Sequence, residues 1–272
     1  IERQFNRKIK PESAHIRESW EIVDRPKDQS IVNEGKHEGC TLRQIILNNC
    51  RNIMGPNWNK NARFPILVKW LDCKERLSLQ VHPPKRIAKQ LGGQPKTENW
   101  YVANTTENSG LFIGFKKFTD QKVLRKALED GDAESLCFRT TSSKGDSILV
   151  ESGRIHAIDK GNLILEIQQN SDTTYRVYDW GRVDLDNKPR KLHINESLQS
   201  INFKDIKPQL IKNNNDIKQM VLASCENFRI TKYIFFKGTK FLIKNENIEC
   251  ILLHLVEGKM KIDGTTINKG EQ

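Results

Sequence analysis

Four short apolar runs follow one another between Ser147 and Trp180: SILVES (147–152), HAID (156–159), LILEIQQ (163–169) and TTYRVYDW (173–180). Each gap holds three residues, so no run has room to grow into a stable helix. Strands recurring at such short intervals predict a β-sandwich or barrel rather than helical layers. The chain is therefore expected to be all-β.

The remaining pattern agrees. ESWEIVD (18–24), FPILVKWLD (64–72), LSLQVHPP (77–84), TENWYVAN (97–104) and GLFIGFK (110–116) read as further strands, with the double proline at 83 and 84 ending one ladder. Two helical interruptions are expected. In TLRQIILNN (41–49), Thr41 is a candidate N-cap, Leu42, Ile45 and Ile46 give one apolar stripe, and Gly55-Pro56 stops the chain. In FTDQKVLRKALEDGDAESL (118–136), Thr119 is the candidate cap, Val123, Ala127 and Leu128 the apolar face, and Gly131 the stop.

Residues 184–216 are polar and read as a connection holding one helix, LHINESLQSI (192–201). SCENFRITKYIFF, KFLIKN, CILLHLVEGKMKIDG and TTINKGEQ then alternate strand patterns with turns. This divides the chain into 1–185, a connecting segment 186–216 and a smaller β unit 217–272. The absent initiator methionine and the stop at Gln272, where another strand is due, predict that both termini are cut.

The six cysteines form no CxxC pair and no regular spacing, which argues against a disulfide framework or a cysteine zinc site and for a reducing, cytoplasmic setting. No run approaches the roughly 18 apolar residues of a membrane span, and IERQFNRKIK has no signal-peptide apolar region. The net charge of +11 favours an anionic partner. The lysines are mostly single, without the dense basic and aromatic interleaving of a nucleic-acid platform, so a small phosphate ester is the expected anion.

Candidate chemistry begins in LSLQVHPP. Period-two alternation puts Ser78, Gln80 and His82 on one face and Leu77, Leu79 and Val81 on the other, so one face packs and the other lines something wet. Glu98, in KTENWY, and His156, entering its strand after Gly153, are further donors. One amide oxygen, two imidazoles and a carboxylate suit zinc with an open coordination position, although spacing alone does not bring the four together. Glu166 sits inside an apolar strand and needs a cation, a metal shell or a hydrogen-bond network, for which Arg176 and Arg182 are candidates. Lys69, and Lys96 two positions before Glu98, are further cationic candidates.

Taken together, FPILVKWLDCKERLSLQVHP, KTENWYV and SGRIHAIDKGNLILEIQQNSDTTYRVYDWGR resemble type I phosphomannose isomerases, zinc enzymes of the cupin superfamily; ESWEIVD and KPRKLHI extend the resemblance. It implies a cupin jelly roll with a small helical insertion and a second, smaller C-terminal β-domain. It implies one zinc ion per chain on Gln80, His82, Glu98 and His156, with Lys96, Glu166 and Arg176 catalytic. Lys69 and Ser78 fall close to the family's pocket as substrate contacts. Glu151 stands where the turn before the histidine commonly has proline.

The implied reaction interconverts mannose 6-phosphate and fructose 6-phosphate through a cis-enediol. Glu166, Lys96 with a water, and a zinc-bound hydroxide are all open as the base. A catalytically silent cupin that binds a sugar phosphate as a sensor, or an isomerase for a different sugar, are the alternatives. The expected partner is a hexose 6-phosphate, with no nucleic acid and no membrane, and the expected state is a monomer or weak dimer.

Overall fold

The computed structural model describes residues 18–183, 186–242, 250–262 and 264–271. Strands β1 (Glu18–Ile22), β2 (Ile66–Cys73), β3 (Leu79–Val81), β4 (Glu98–Thr105), β5 (Gly110–Phe115), β6 (Cys137–Thr141), β7 (Ser147–Val150), β8 (His156–Ile158), β9 (Asn162–Gln169) and β10 (Tyr175–Tyr178) build two five-stranded sheets. The first runs β1-β2-β9-β4-β7 and the second β10-β3-β8-β5-β6, antiparallel throughout. CFRTT, which forms β6, carries arginine and two threonines in place of an apolar run, and its pattern gave no strand.

Alternation along each strand sorts the side chains into three layers. Between the sheets, Leu71 and Cys73 of β2, Trp100 and Val102 of β4, Leu111 and Ile113 of β5, Ile148 and Val150 of β7, Ile158 of β8 and Ile164 of β9 form one buried cluster. The opposite-facing residues of the second sheet, among them Leu79, Val81, Phe112, Ala157, Tyr175 and Val177, pack against the helical segments. Val68, Trp70, Tyr101, Leu163 and Leu165 on the outer face of the first sheet pack with Leu222 of β11 (Gln219–Ser224), which pairs with β12 (Arg229–Tyr233). A further hairpin joins β13 (Lys259–Ile262) to β14 (Thr265–Asn268). Each fully buried large side chain contributes roughly 1.5–3 kcal/mol.

Helix α1 (Leu42–Met54) starts as expected: Thr41 accepts from the Gln44 amide N–H while the Gln44 side chain accepts from Thr41 N–H. It passes through a non-helical Asn49 and ends at Met54 with Gly55 as C-cap, at the expected Gly55-Pro56 stop, and Ile46 and Met54 both bury against Phe64. The segment after the double proline contains the single turn α2 (Lys85–Ala88).

In α3 (Gln121–Glu129) the reading is corrected by one residue. Asp120, not Thr119, caps the helix, its carboxylate accepting from Val123 N–H at 2.8 Å. Leu124 is fully buried and Val123 is 45% exposed, so the apolar face is Leu124 with Leu128. Helices α4 (Ala133–Leu136) and α5 (Ile194–Ser200) follow, the latter inside the expected helix. CILLHL (250–255) forms no strand, and KFLIKN lies partly outside the described residues.

Candidate active site

The wet face anticipated for LSLQVHPP points between the sheets. In the second sheet Arg176, Gln80 and His156 stand directly opposite one another across β10, β3 and β8. In the first sheet Lys69, Glu166 and Trp100 form one row across β2, β9 and β4, and Glu98 with Gln168 the next. The two polar rows face each other at one end of a layer whose other residues are apolar.

His82, Glu98 and His156 converge, each buried, with ligand atoms within 4.8 Å of one another. His82 Nε2 lies 3.1 Å from Glu98 Oε2 and His156 Nε2 3.5 Å from Glu98 Oε1. The opposite ring nitrogens are committed. His82 Nδ1 is 3.0 Å from Thr173 O and His156 Nδ1 2.8 Å from Arg154 O. A carbonyl only accepts, so both Nδ1 atoms carry the proton and both Nε2 atoms present bare lone pairs.

Two lone pairs aimed at a carboxylate, with neither Nε2 having a hydrogen-bond partner, repel unless a cation lies between them. Burial first, and the positive charge of Lys96 next, hold His82 down at about 3; burial also lowers His156. Both rings are neutral at pH 7. Two neutral imidazoles and a carboxylate, each imidazole oriented by a carbonyl behind it, are a donor set suited to a divalent metal such as zinc. The residues present fit that group.

Local chain geometry delivers them. Gly153, at φ 95°, makes the turn before β8, and its N–H donates to His82 O at 2.8 Å, tying the two histidine segments together. A Cβ at Gly153 would stand 3.2 Å from Ser200 O. The Trp100 ring meets His156 edge-on at 5.3 Å.

Beside the triad lies the charge pair for which the sequence offered both arginines and lysines. Glu166 is flanked by lysines: Lys69 Nζ at 3.3 Å and Lys96 Nζ at 3.8 Å. Lys96 also reaches Glu98 at 2.9 Å. Burial and then the charge of Glu98 raise the Glu166 pKa; burial opposes ionisation of Glu98, but the charge of Lys96 holds it well below the usual range. Lys69 stays charged: burial works against it, and Glu166 and Glu18 outweigh burial.

Arg182 is elsewhere, paired with Asp179 and donating to Arg76 O; Arg190 shares that carboxylate. Arg176 donates through Nη1 to Lys191 O at 2.8 Å, while its buried Nε has no hydrogen-bond partner. Ser78, half-buried, lies one residue ahead of β3, on the alternation shared by Gln80. The structure thus joins His82, Glu98, His156, Lys96, Glu166 and Lys69 by direct contacts, and sets Gln80 and Arg176 in register with His156.

Sequence reasoning missed Trp20 and Glu18, at 5.5 Å (ring centroid) and 3.6 Å from Lys69 Nζ, and Gln168 beside Glu98. A signal existed for the first two: alternation puts Glu18 and Trp20 on one face of ESWEIVD. None existed for the carbonyls of Thr173 and Arg154, since every residue has one.

Comparison with known proteins agrees with this geometry. Residues 3–125 match the family described as phosphomannose isomerase type I, catalytic domain. The mannose-6-phosphate isomerase ManA of Bacillus subtilis strain 168 is 34% identical over 247 residues, spanning 89% of this chain and 76% of that protein. The crystal structure of the mannose 6-phosphate isomerase from Bacillus subtilis superposes with a TM-score of 0.83 at 31% identity, covering 99% of this chain and 86% of that one. A mannose 6-phosphate isomerase solved with zinc and yttrium shares the fold at 18% identity and a TM-score of 0.64, covering 85% of this chain and 77% of its own. A β-sandwich with this buried triad, together with such similarity along nearly its whole length, makes the chain a member of the type I phosphomannose isomerase family.

Proposed function

We propose that this chain interconverts mannose 6-phosphate and fructose 6-phosphate, using zinc held by His82, Glu98 and His156 with Gln80 as the fourth donor. The observation that carries the reading is the pair of bare imidazole nitrogens trained on Glu98, next to a second buried carboxylate, Glu166, with a raised pKa. A bound zinc ion supplies Lewis acidity, stabilising negative charge where it develops on the sugar oxygens.

The chain's own groups handle the protons and the charge. The C2 proton of mannose is too weakly acidic for an exposed carboxylate; burial raises the proton affinity of Glu166 and fits it to this work. Glu166 takes that proton and returns it to C1, while the hydroxyl proton passes from O2 to O1. No heavy atom changes place. Lys96, bridging Glu98 and Glu166, balances whichever carboxylate is ionised.

Arg176, with an unpaired buried Nε, has a donor left for the enediolate or the substrate. Lys69 holds Glu166 and, with Ser78, is assigned to substrate contact. Three cations, Lys69, Lys96 and Arg176, stand against Glu98, Glu166 and Glu18, so a bound divalent ion would leave the site net positive, a balance that favours a phosphorylated sugar.

The test is an assay of mannose 6-phosphate to fructose 6-phosphate conversion with and without chelator, alongside His156→Ala. Loss of activity in both, with zinc restoring only the wild type, is expected. Activity untouched by either would sink the reading. Binding of the sugar phosphate without turnover would favour the sensor, and equal turnover of free mannose an isomerase for another sugar.

A further inference from the structure

KPRKLHI (188–194) has no part in the chemistry derived so far, yet it closes on the strand carrying Arg176. β10 is the edge strand of its sheet, paired on one side only, and its register with β3 shifts just past Arg176, between Arg176 and Tyr178. An edge strand leaves alternate N–H and C=O groups without a ladder partner. His193 takes both groups of Arg176. The Arg176 N–H donates to His193 Nδ1 at 3.1 Å, and the His193 N–H donates to Arg176 O at 2.8 Å. Two residues upstream, Lys191 O accepts from Arg176 Nη1.

We infer that His193 is a positioning residue for Arg176, its ring and main chain together acting as a one-residue strand that fixes the arginine's backbone while Lys191 fixes one arm of its guanidinium. This rests on the assignment of Arg176 to the substrate or enediolate.

The tautomer is settled by the donor. A backbone N–H cannot accept, so Nδ1 is unprotonated and the ring, when neutral, carries its proton on Nε2. The groups facing the ring keep it neutral: burial, Arg176 and Lys191 lower its affinity for a proton and outweigh Glu196, with the uncharged Tyr175 ring 6.0 Å away. The imidazole is itself anchored. His193 O accepts from Ser197 N–H at the start of α5, which buries Leu198 among Leu79, Val81 and Val177. The backbone of Arg176 is thereby linked through His193 to a packed helix.

The experiment is a mutant cycle on the zinc-loaded full chain with mannose 6-phosphate, read as kcat and KM separately, with bound zinc measured for each variant. H193F keeps a ring and removes the acceptor; H193N restores an acceptor at a similar reach. Expected results are a fall in kcat/KM of about tenfold or more for H193F, with zinc content unchanged. Recovery to within about threefold is expected for H193N, and no further loss when H193F is added to R176A. An H193F cost that is equally large with and without Arg176, or that H193N fails to recover, would mean a general structural role and overturn the inference. If R176A itself keeps full activity, the assignment of Arg176 fails and the inference goes with it. If R176A is inactive while H193F is normal, only the positioning role is lost.

Discussion

Glu98 meets both imidazoles and Lys96, and its neighbours divide the titration among them. His82, held at about 3, and His156, also lowered, are neutral in the folded chain but would charge near 6.5 when unfolded. The unfolded state thus binds more protons below that pH, so stability rises with pH there. Metal-free protein is expected to lose stability progressively as pH falls below about 6.5, measured by urea denaturation in chelator, with a shallower loss for His82→Gln. Glu166 carries the opposite assignment, a group needed for turnover and not for metal. Glu166→Gln is expected to lower kcat by about 10²–10⁴-fold with zinc content preserved. A kcat within a few-fold of wild type would remove Glu166 from proton transfer.

Elements hold these side chains through buried polar joints outside the site. Asp24, fully buried just beyond β1, accepts from Arg43 of α1, from Arg63 Nη1 at 2.9 Å and from Phe64 N–H at 2.8 Å before β2. Asn170, at the end of β9, donates to Asp24 O and Phe64 O. One carboxylate therefore fastens β1, α1 and the start of β2 together. Burial opposes its charge, but Arg43 and the other donors hold its pKa far below the ordinary 3.8. The folded pKa is depressed, so its contribution is full above about pH 4 and drains away as pH falls toward the folded value. Asp24→Asn is expected to cost on the order of 3 kcal/mol at pH 7 and to flatten the acid limb of the stability curve. The frame of α3 can be checked as directly: Leu124→Ala should cost about 2–5 kcal/mol in denaturant unfolding, whereas Val123→Ala should stay within about 0.5 kcal/mol.

At the scale of the molecule, 45 lysines and arginines against 34 acidic residues create a positive field around the site. Steering of a phosphate ester by that field is screened by salt. kcat/KM for mannose 6-phosphate should decrease as ionic strength rises from about 0.01 to 0.5 M, mainly through KM; an indifferent KM would confine recognition to contacts inside the pocket. Among the described residues no helix is long and apolar enough to cross a membrane.

Most strands were legible because alternation is local: Lys69, Gln80, Glu98 and Glu166 each betray their face by polarity within an apolar run. CFRTT was not, since a half-buried edge strand needs little apolar character, and the α3 frame slipped because Val123 and Leu124 are equally apolar and only packing chooses between them. The motifs that the chain shares with its family carried the candidate ligands. What the sequence determined by itself was the period-two pattern, which sends Gln80 and His82 to one face and fixes an all-β layer. Which two sheets enclose that face, that lysines rather than Arg182 neutralise Glu166, and that Thr173 and Arg154 carbonyls set both imidazole tautomers were decided only by the tertiary structure. The physical reason is that Lys69–Glu166 and His82–Thr173 join residues 97 and 91 positions apart, and pairing over such distances is selected by the collective burial of the sandwich rather than by any local preference; the Arg154 carbonyl is only two residues from His156, but the turn that aims it there is set by the packing around it.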